Sequence, residues 1–334
     1  MFKFFALVTA TLLIGTLPAL AADGSCKSDP TDPFAPDSRA PQGPHAGECL
    51  DTSSVRGLRP VEPDYLAKNF GVQPRAGTRL VANFRHNQQF WIAEIPLNGI
   101  RQMIMQRESS FGNIPFHHQN RYINDPDQPI RLFPQTPAQM KSYKGPLLVT
   151  DYVVSAIGLR PASLAGQPFS IMEAFKGSYT QGVGMVSMQD AWVYDAKELG
   201  HELAQKRLIT SRADRTLSLV TFIDRSIKIG ETLPYSLSSE TCVTELFFGY
   251  AKIARVKHPF KSGEFAPEGE TYSMPHNTLH TLKRWGLIAD DTPKIFESAP
   301  PPAFDPIWDS IVDEGVPPFS VEWETKILPT PLSE

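Results

Sequence analysis

Ser236-Leu237-Ser238-Ser239-Glu240-Thr241-Cys242-Val243-Thr244-Glu245-Leu246-Phe247-Phe248 is the stretch on which the reading of this chain turns. The residues before Cys242 are mostly Ser, Glu and Thr, types that suit a helix N-terminus. After it, Val243, Leu246, Phe247 and Tyr250 recur at helical spacing and would bury one face. The spacing predicts a helix from about Cys242 to Ala254, with the sulfur in its first turn. Unpaired backbone N–H groups and the positive end of the helix dipole favour a thiolate there. The same N–H groups suit an oxyanion. A plainer alternative stands beside this one: a small apolar side chain tucked beneath a helix cap.

Working outward, the second half of the chain reads as helical and the first half as strands. Residues 79–84 and 89–95 fit a hairpin across Arg85-His86-Asn87-Gln88. Residues 100–106 suit strand or helix. Residues 116–123 and 129–133 flank the turn-rich Asn124-Asp125-Pro126-Asp127, and residues 147–159 read as one strand. A short helix is expected over 170–175, a strand over 191–194 and a helix over 196–208. Residues 217–223 fit either type, and a last helix fits 274–285, stopped by Gly286. Strands followed by helices suggest an α+β domain.

The two ends differ from the middle. Lys3, an apolar run over residues 4–17 and Ala19-Leu20-Ala21 make a signal peptide over residues 1–21. Residues 22–63 hold seven prolines between 28 and 63 and read as an extended N-terminal arm. The expected domain spans 64–292. Residues 293–334 are again Pro-rich but carry Trp308, Phe319 and Trp323, and are expected to wrap on the body. Hydrophobic content of 41% is that of a globular protein, and a net charge of −4 with no basic stripe argues against nucleic acid. No later stretch is apolar enough to span a membrane, so an integral membrane protein is not expected once the signal is removed.

Of three cysteines, Cys26 and Cys49 lie close together, and pairing them is the economical choice in an oxidising space. Cys242 is then the free thiol. A thiolate nucleophile needs a base or cationic partner. Among eight histidines, His117 and His118 open an expected strand, and alternation lets one of them face the helix start. His201 sits on a polar face of the expected helix. His276 and His280 are one turn apart but have no Asp, Glu or Cys at ligand spacing, so no metal is expected. No phosphate-binding loop, G-x-S-x-G or H-E-x-x-H occurs. No C-x-x-C supports redox work. No cofactor is expected.

Several segments in a shared order resemble the Lnb-type N-terminal periplasmic domain family. They are Pro129-Ile130-Arg131-Leu132-Phe133-Pro134-Gln135, Leu148-Val149-Thr150-Asp151-Tyr152-Val153-Val154-Ser155-Ala156-Ile157-Gly158, Met172-Glu173-Ala174-Phe175-Lys176-Gly177-Ser178-Tyr179 and Val183-Gly184-Met185-Val186-Ser187-Met188. Asp190-Ala191-Trp192-Val193-Tyr194, Ser239 to Phe247, and Pro275 to Ile288 continue the series. Together they span about residues 116–288. That family is similar to permuted papain-like thiol hydrolases and acyltransferases, in which a strand histidine precedes a cysteine that opens a helix. The resemblance implies a papain-like antiparallel sheet, circularly permuted or not, with packed helices. It implies catalytic roles for Cys242 and for His117 or His118, and Arg121-Tyr122 points toward His117. Glu240 stands where the family has Asn. The expected function is a periplasmic thiol-dependent hydrolase or acyltransferase acting on amide or ester bonds in a peptide, peptidoglycan or lipid acyl substrate. A non-catalytic envelope binding protein is the alternative.

Overall fold

The computed structural model describes residues 24–110, 114–192, 201–236, 241–255, 278–288 and 295–297. The expected signal peptide, Glu240, His258, His276 and the segment beyond Glu297 lie outside the described residues. In chain order the elements are β1 (Arg59–Pro60), α1 (Tyr65–Phe70), β2 (Thr78–His86), β3 (Gln89–Pro96), β4 (Ile100–Ser110), β5 (Ile114–Asn124), β6 (Ile130–Pro134), α2 (Pro137–Ser142), β7 (Leu147–Val149), β8 (Asp151–Leu159), α3 (Ile171–Phe175), β9 (Thr180–Ser187), α4 (Met188–Asp190), β10 (Glu202–Arg207), α5 (Arg212–Ile229), α6 (Cys242–Ile253), α7 (Thr278–Arg284) and β11 (Ile295–Glu297). The protein is α+β. One sheet runs β11-β10-β4-β5-β8-β9-β2-β3-β6-β7, with β1 beside β2.

The sheet is mixed, which corrects the antiparallel expectation. Phe84 and Arg85 of β2 pair in parallel with Met185 and Val186 of β9. β2 is bulged just before this pairing. Its register with β3 shifts between Val81 and Phe84, where Asn83 takes a φ of 72°. Such a bulge bends the strand and re-aims its second half. The expected β2–β3 hairpin forms around Asn87 and Gln88, both at positive φ (50° and 56°), as a tight two-residue hairpin turn needs. The Asp190 carboxylate holds that turn, accepting from the N–H of Asn87 and of Gln88 at 2.8 Å each.

Three element assignments change. Residues 147–159 split at Thr150, whose carbonyl accepts the Asn124 N–H at 2.7 Å. β7 therefore pairs with β6, while β8 pairs with β5 and β9. Ala191 and Trp192 continue the helical turn of α4 rather than forming a strand. Residues 202–207 form β10 instead of helix, paired with β4 from Glu202↔Ser109 to Arg207↔Ile104. Their Leu, Ala, Lys and Arg favour helix in isolation. The open edge of β4 offers a full row of backbone donors and acceptors, and that tertiary demand wins.

α5 and α6 lie across one face of the sheet. Met103, Tyr122, Val154 and Met185 from the strands meet Phe222, Leu246, Phe247 and Tyr250 in a single buried cluster. Gly249 permits the close crossing of the two helices, since a Cβ there would stand 3.2 Å from both Phe222 and Ser218. α1 covers part of the sheet through Leu66, Ile92 and Phe133.

Residues 24–58 carry little regular structure but are bound to the body. Buried Asp32 pairs with buried Arg56 and accepts Gln135 Nε2 at 2.9 Å. The Glu231 carboxylate accepts the Gly57 N–H at 2.8 Å and the Ser38 hydroxyl at 3.0 Å. Cys26 and Cys49 form a disulfide. Among the described residues no helix is long and apolar enough to cross a membrane.

Candidate active site

α6 begins where the sequence places it. Thr241 is the N-cap in extended conformation (φ −113°, ψ 174°) and accepts the Thr244 N–H, while the Thr244 side chain returns to the Thr241 N–H. This reciprocal pair satisfies two of the orphan donors at the helix start. Cys242 is the first helical residue. Glu245, buried in the first turn, is gripped by Arg225 of α5 through Nε at 2.9 Å and Nη2 at 2.8 Å. Further along, the Tyr250 hydroxyl donates to Asn120 Oδ1 on β5. The helix start is thus fixed against both α5 and the sheet.

The β5–β8 ladder runs from Ile123↔Asp151 to Gln119↔Ser155 and ends there. His117 and His118 lie just past that end, and the Cys242 sulfur sits where they are. The His117 side chain and the backbone N–H groups of His118 and Val243 stand beside the sulfur and favour its thiolate. His117 Nε2 in turn lies 2.7 Å from the Ser155 hydroxyl of β8. Cys242, His117 and Ser155 thus come together from a helix N-terminus and two neighbouring strands.

The electrostatics divide the two histidines. Burial pushes the Cys242 thiol up, but the His117 charge and hydrogen bond, with the two backbone N–H groups, hold it below the ordinary thiol value. His118 is fully buried, and neither ring nitrogen has a hydrogen-bond partner among the described residues. Burial, with His117 and Arg107 nearby, lowers its pKa to about 3. At neutral pH it is an uncharged ring whose contribution to the sulfur is its backbone N–H. His117 makes the side-chain contact.

Tyr235 completes the group, and nothing in its local sequence singled it out. It lies beside Cys242, and burial with the adjacent sulfur raises its pKa. Cys242 is 3% exposed and Tyr235 6%. Ser155 was also missed, because its role depends on strand register. Asn120 holds Tyr250, and Arg131 pairs with buried Glu94. His201 is not on a helix; it precedes β10, with Nδ1 2.5 Å from Glu108 Oε1. Among the described residues no group of three or more His, Cys, Asp or Glu is arranged to hold a metal ion.

Comparison of the chain with family models, curated proteins and solved structures returns no match.

Proposed function

We propose that the protein is an envelope thiol-dependent hydrolase or acyltransferase acting on amide or ester bonds, with a papain-like domain of the Lnb-type N-terminal periplasmic kind. The observation that carries the reading is Cys242 at the first turn of α6 beside His117, whose Nε2 lies 2.7 Å from the Ser155 hydroxyl. The order, strand histidine before helix cysteine, is the one the resemblance implies.

In this reading His117 takes the Cys242 proton, and the thiolate attacks the acyl carbon. The carbon–sulfur bond forms while the carbonyl π electrons move to oxygen. Helix N-terminal N–H groups receive that oxyanion. The intermediate collapses as His117 gives its proton to the leaving amine or alkoxide, producing a thioester. Water, or an acceptor amine or hydroxyl, then loses a proton to His117 and cleaves the thioester. Peptides, peptidoglycan crosslinks and lipid acyl groups are the substrate classes in an envelope. Ser155 positions the ring. The Cys26–Cys49 disulfide suits an oxidising compartment. The near-complete burial of Cys242 favours a second reading, a non-catalytic binding protein with an inert sulfur.

The pH profile of Cys242 alkylation by iodoacetamide separates them, because its midpoint reports the thiol pKa whatever the access. The proposal expects a midpoint below the ordinary value of about 8.5, and a His117→Gln midpoint above it, since burial then acts unopposed. A wild-type midpoint at or above that of a free thiol sinks the catalytic reading.

A further inference from the structure

Resting on the reading above, we infer that Glu108 is the positioning residue of the site. Its carboxylate, held by His201, faces the His117 ring and balances the positive charge that ring carries once it has taken the Cys242 proton. The placement follows from the strand ladders. Glu108 and His117 are direct partners in the β4–β5 pair, so their side chains stand on one face with Cβ atoms about 4.5–5.5 Å apart. His201 lies two residues before Leu203, the β10 partner of Glu108, and its Nδ1 is 2.5 Å from Glu108 Oε1. Ser155 is the β8 partner of Gln119, two residues on from His117, and its hydroxyl is 2.7 Å from His117 Nε2. His201, Glu108, His117 and Ser155 therefore form a row across neighbouring strands, joined by register and by hydrogen bonds.

A second row backs the first. Gln205, Gln106 and Gln119 are cross-strand partners one step further along β10, β4 and β5. Gln119 Nε2 donates to Gln106 Oε1 at 3.0 Å, and Gln106 Nε2 to Gln205 Oε1 at 2.9 Å. This uncharged chain ties the three strands laterally, so the register that sets Glu108 opposite His117 cannot slip without breaking it. Glu108 is buried, and an opposite charge at cross-strand range favours the protonated form of a ring. The other groups around His117 divide. A Cys242 thiolate on α6 favours the same proton, and Ser155 of β8 carries no charge. His118 is neutral, with its pKa lowered to about 3, and Arg107 of β4 stands near it and opposes a further positive charge. Tyr235, beside Cys242, is uncharged because burial raises its pKa. Glu108 supplies a negative charge that is in place before the sulfur ionises. It takes no proton itself: the one leaving Cys242 stops on His117.

The experiment follows the His117 ring proton across pH by NMR of histidine-labelled full chain carrying Cys242→Ala, which takes the thiolate out of the comparison. The resonance missing from His117→Gln identifies the ring. In Cys242→Ala the ring should lose its proton above the ordinary value of about 6.5. Adding Glu108→Gln should lower that midpoint by about one unit or more, with Glu108→Asp in between. His201→Gln, which frees the carboxylate from its anchor, should shift it the same way by less. With Cys242 in place, Glu108→Gln should raise the iodoacetamide midpoint toward that of His117→Gln, because the thiol then faces a ring that has already lost its charge. A ring that titrates at or below the ordinary value in Cys242→Ala overturns the role of Glu108, and that result needs no Glu108 variant to fold. So does a ring midpoint that Glu108→Gln leaves unmoved. If the ring behaves as expected while wild-type Cys242 alkylates with the midpoint of a free thiol, Glu108 charges the ring and the thiol reading fails instead.

Discussion

His118 and His117 are adjacent in sequence and opposite in circumstance. The first is sealed in, neither ring nitrogen has a partner among the described residues, and its pKa lies near 3. The second bridges a sulfur and a hydroxyl. Two consequences follow at the level of single side chains. Between about pH 3 and its ordinary 6.5, the unfolded chain holds a proton on residue 118 that the folded chain refuses. Stability from this group is complete above the ordinary value and is lost as pH falls toward 3, at about 1.4 kcal/mol per pH unit at full slope. His118→Leu is expected to flatten denaturant-measured stability against pH over that window, whatever it does to absolute stability. His86, also lowered by burial although Asp190 offsets it, keeps part of the slope. The second expectation concerns Ser155→Ala. Losing a hydrogen bond of about 1 kcal/mol to the ring should slow thioester formation on an activated ester about fivefold while leaving KM unchanged. A rise in KM with kcat intact would assign Ser155 to substrate instead. From the sequence the pair of histidines was visible, and only the family resemblance, through Arg121-Tyr122, leaned toward His117. The choice depends on where the β5–β8 ladder stops, which no local pattern encodes.

Among the elements, α6 was legible because its signals agree: cap residues, helical apolar spacing and a cysteine between them. Thr241→Ala tests whether that start matters to chemistry as well as to folding. It should cost about 1 kcal/mol of stability and raise the Cys242 alkylation midpoint, with Thr241→Ser restoring both. An unchanged midpoint would separate the cap from the thiolate. The β2–β3 hairpin was legible for a similar reason, since alternating strands flank two residues that accept positive φ. β10 was not. Leu203, Ala204 and Lys206 favour helix, and what makes them strand is β4, some hundred residues away. The break at Thr150 was hidden for the same reason. Residues 147–159 are uniformly strand-like, and only the separate partners of β7 and β8 show that the run serves two places in the sheet.

At the scale of the whole molecule, the N-terminal segment is part of the body rather than a free arm. Ala162 N–H donates to Cys49 O at 2.7 Å and Asp51 N–H to Arg160 O at 2.8 Å, so the disulfide loop lies against the chain just beyond β8. A crosslink closing a 23-residue separation is worth about 3 kcal/mol in the chain-entropy account. Replacing Cys26 and Cys49 together with Ala should lower unfolding free energy by about that amount and leave the alkylation midpoint of Cys242 where it was. A shifted midpoint would tie the staple to the site. The positions of the three sulfurs along the polypeptide have a consequence of their own. A chain released from its N-terminus presents Cys26 and Cys49 well before Cys242 emerges, so the correct partners meet without a competitor. The third thiol then folds into the protein interior after the other two have had the chance to pair.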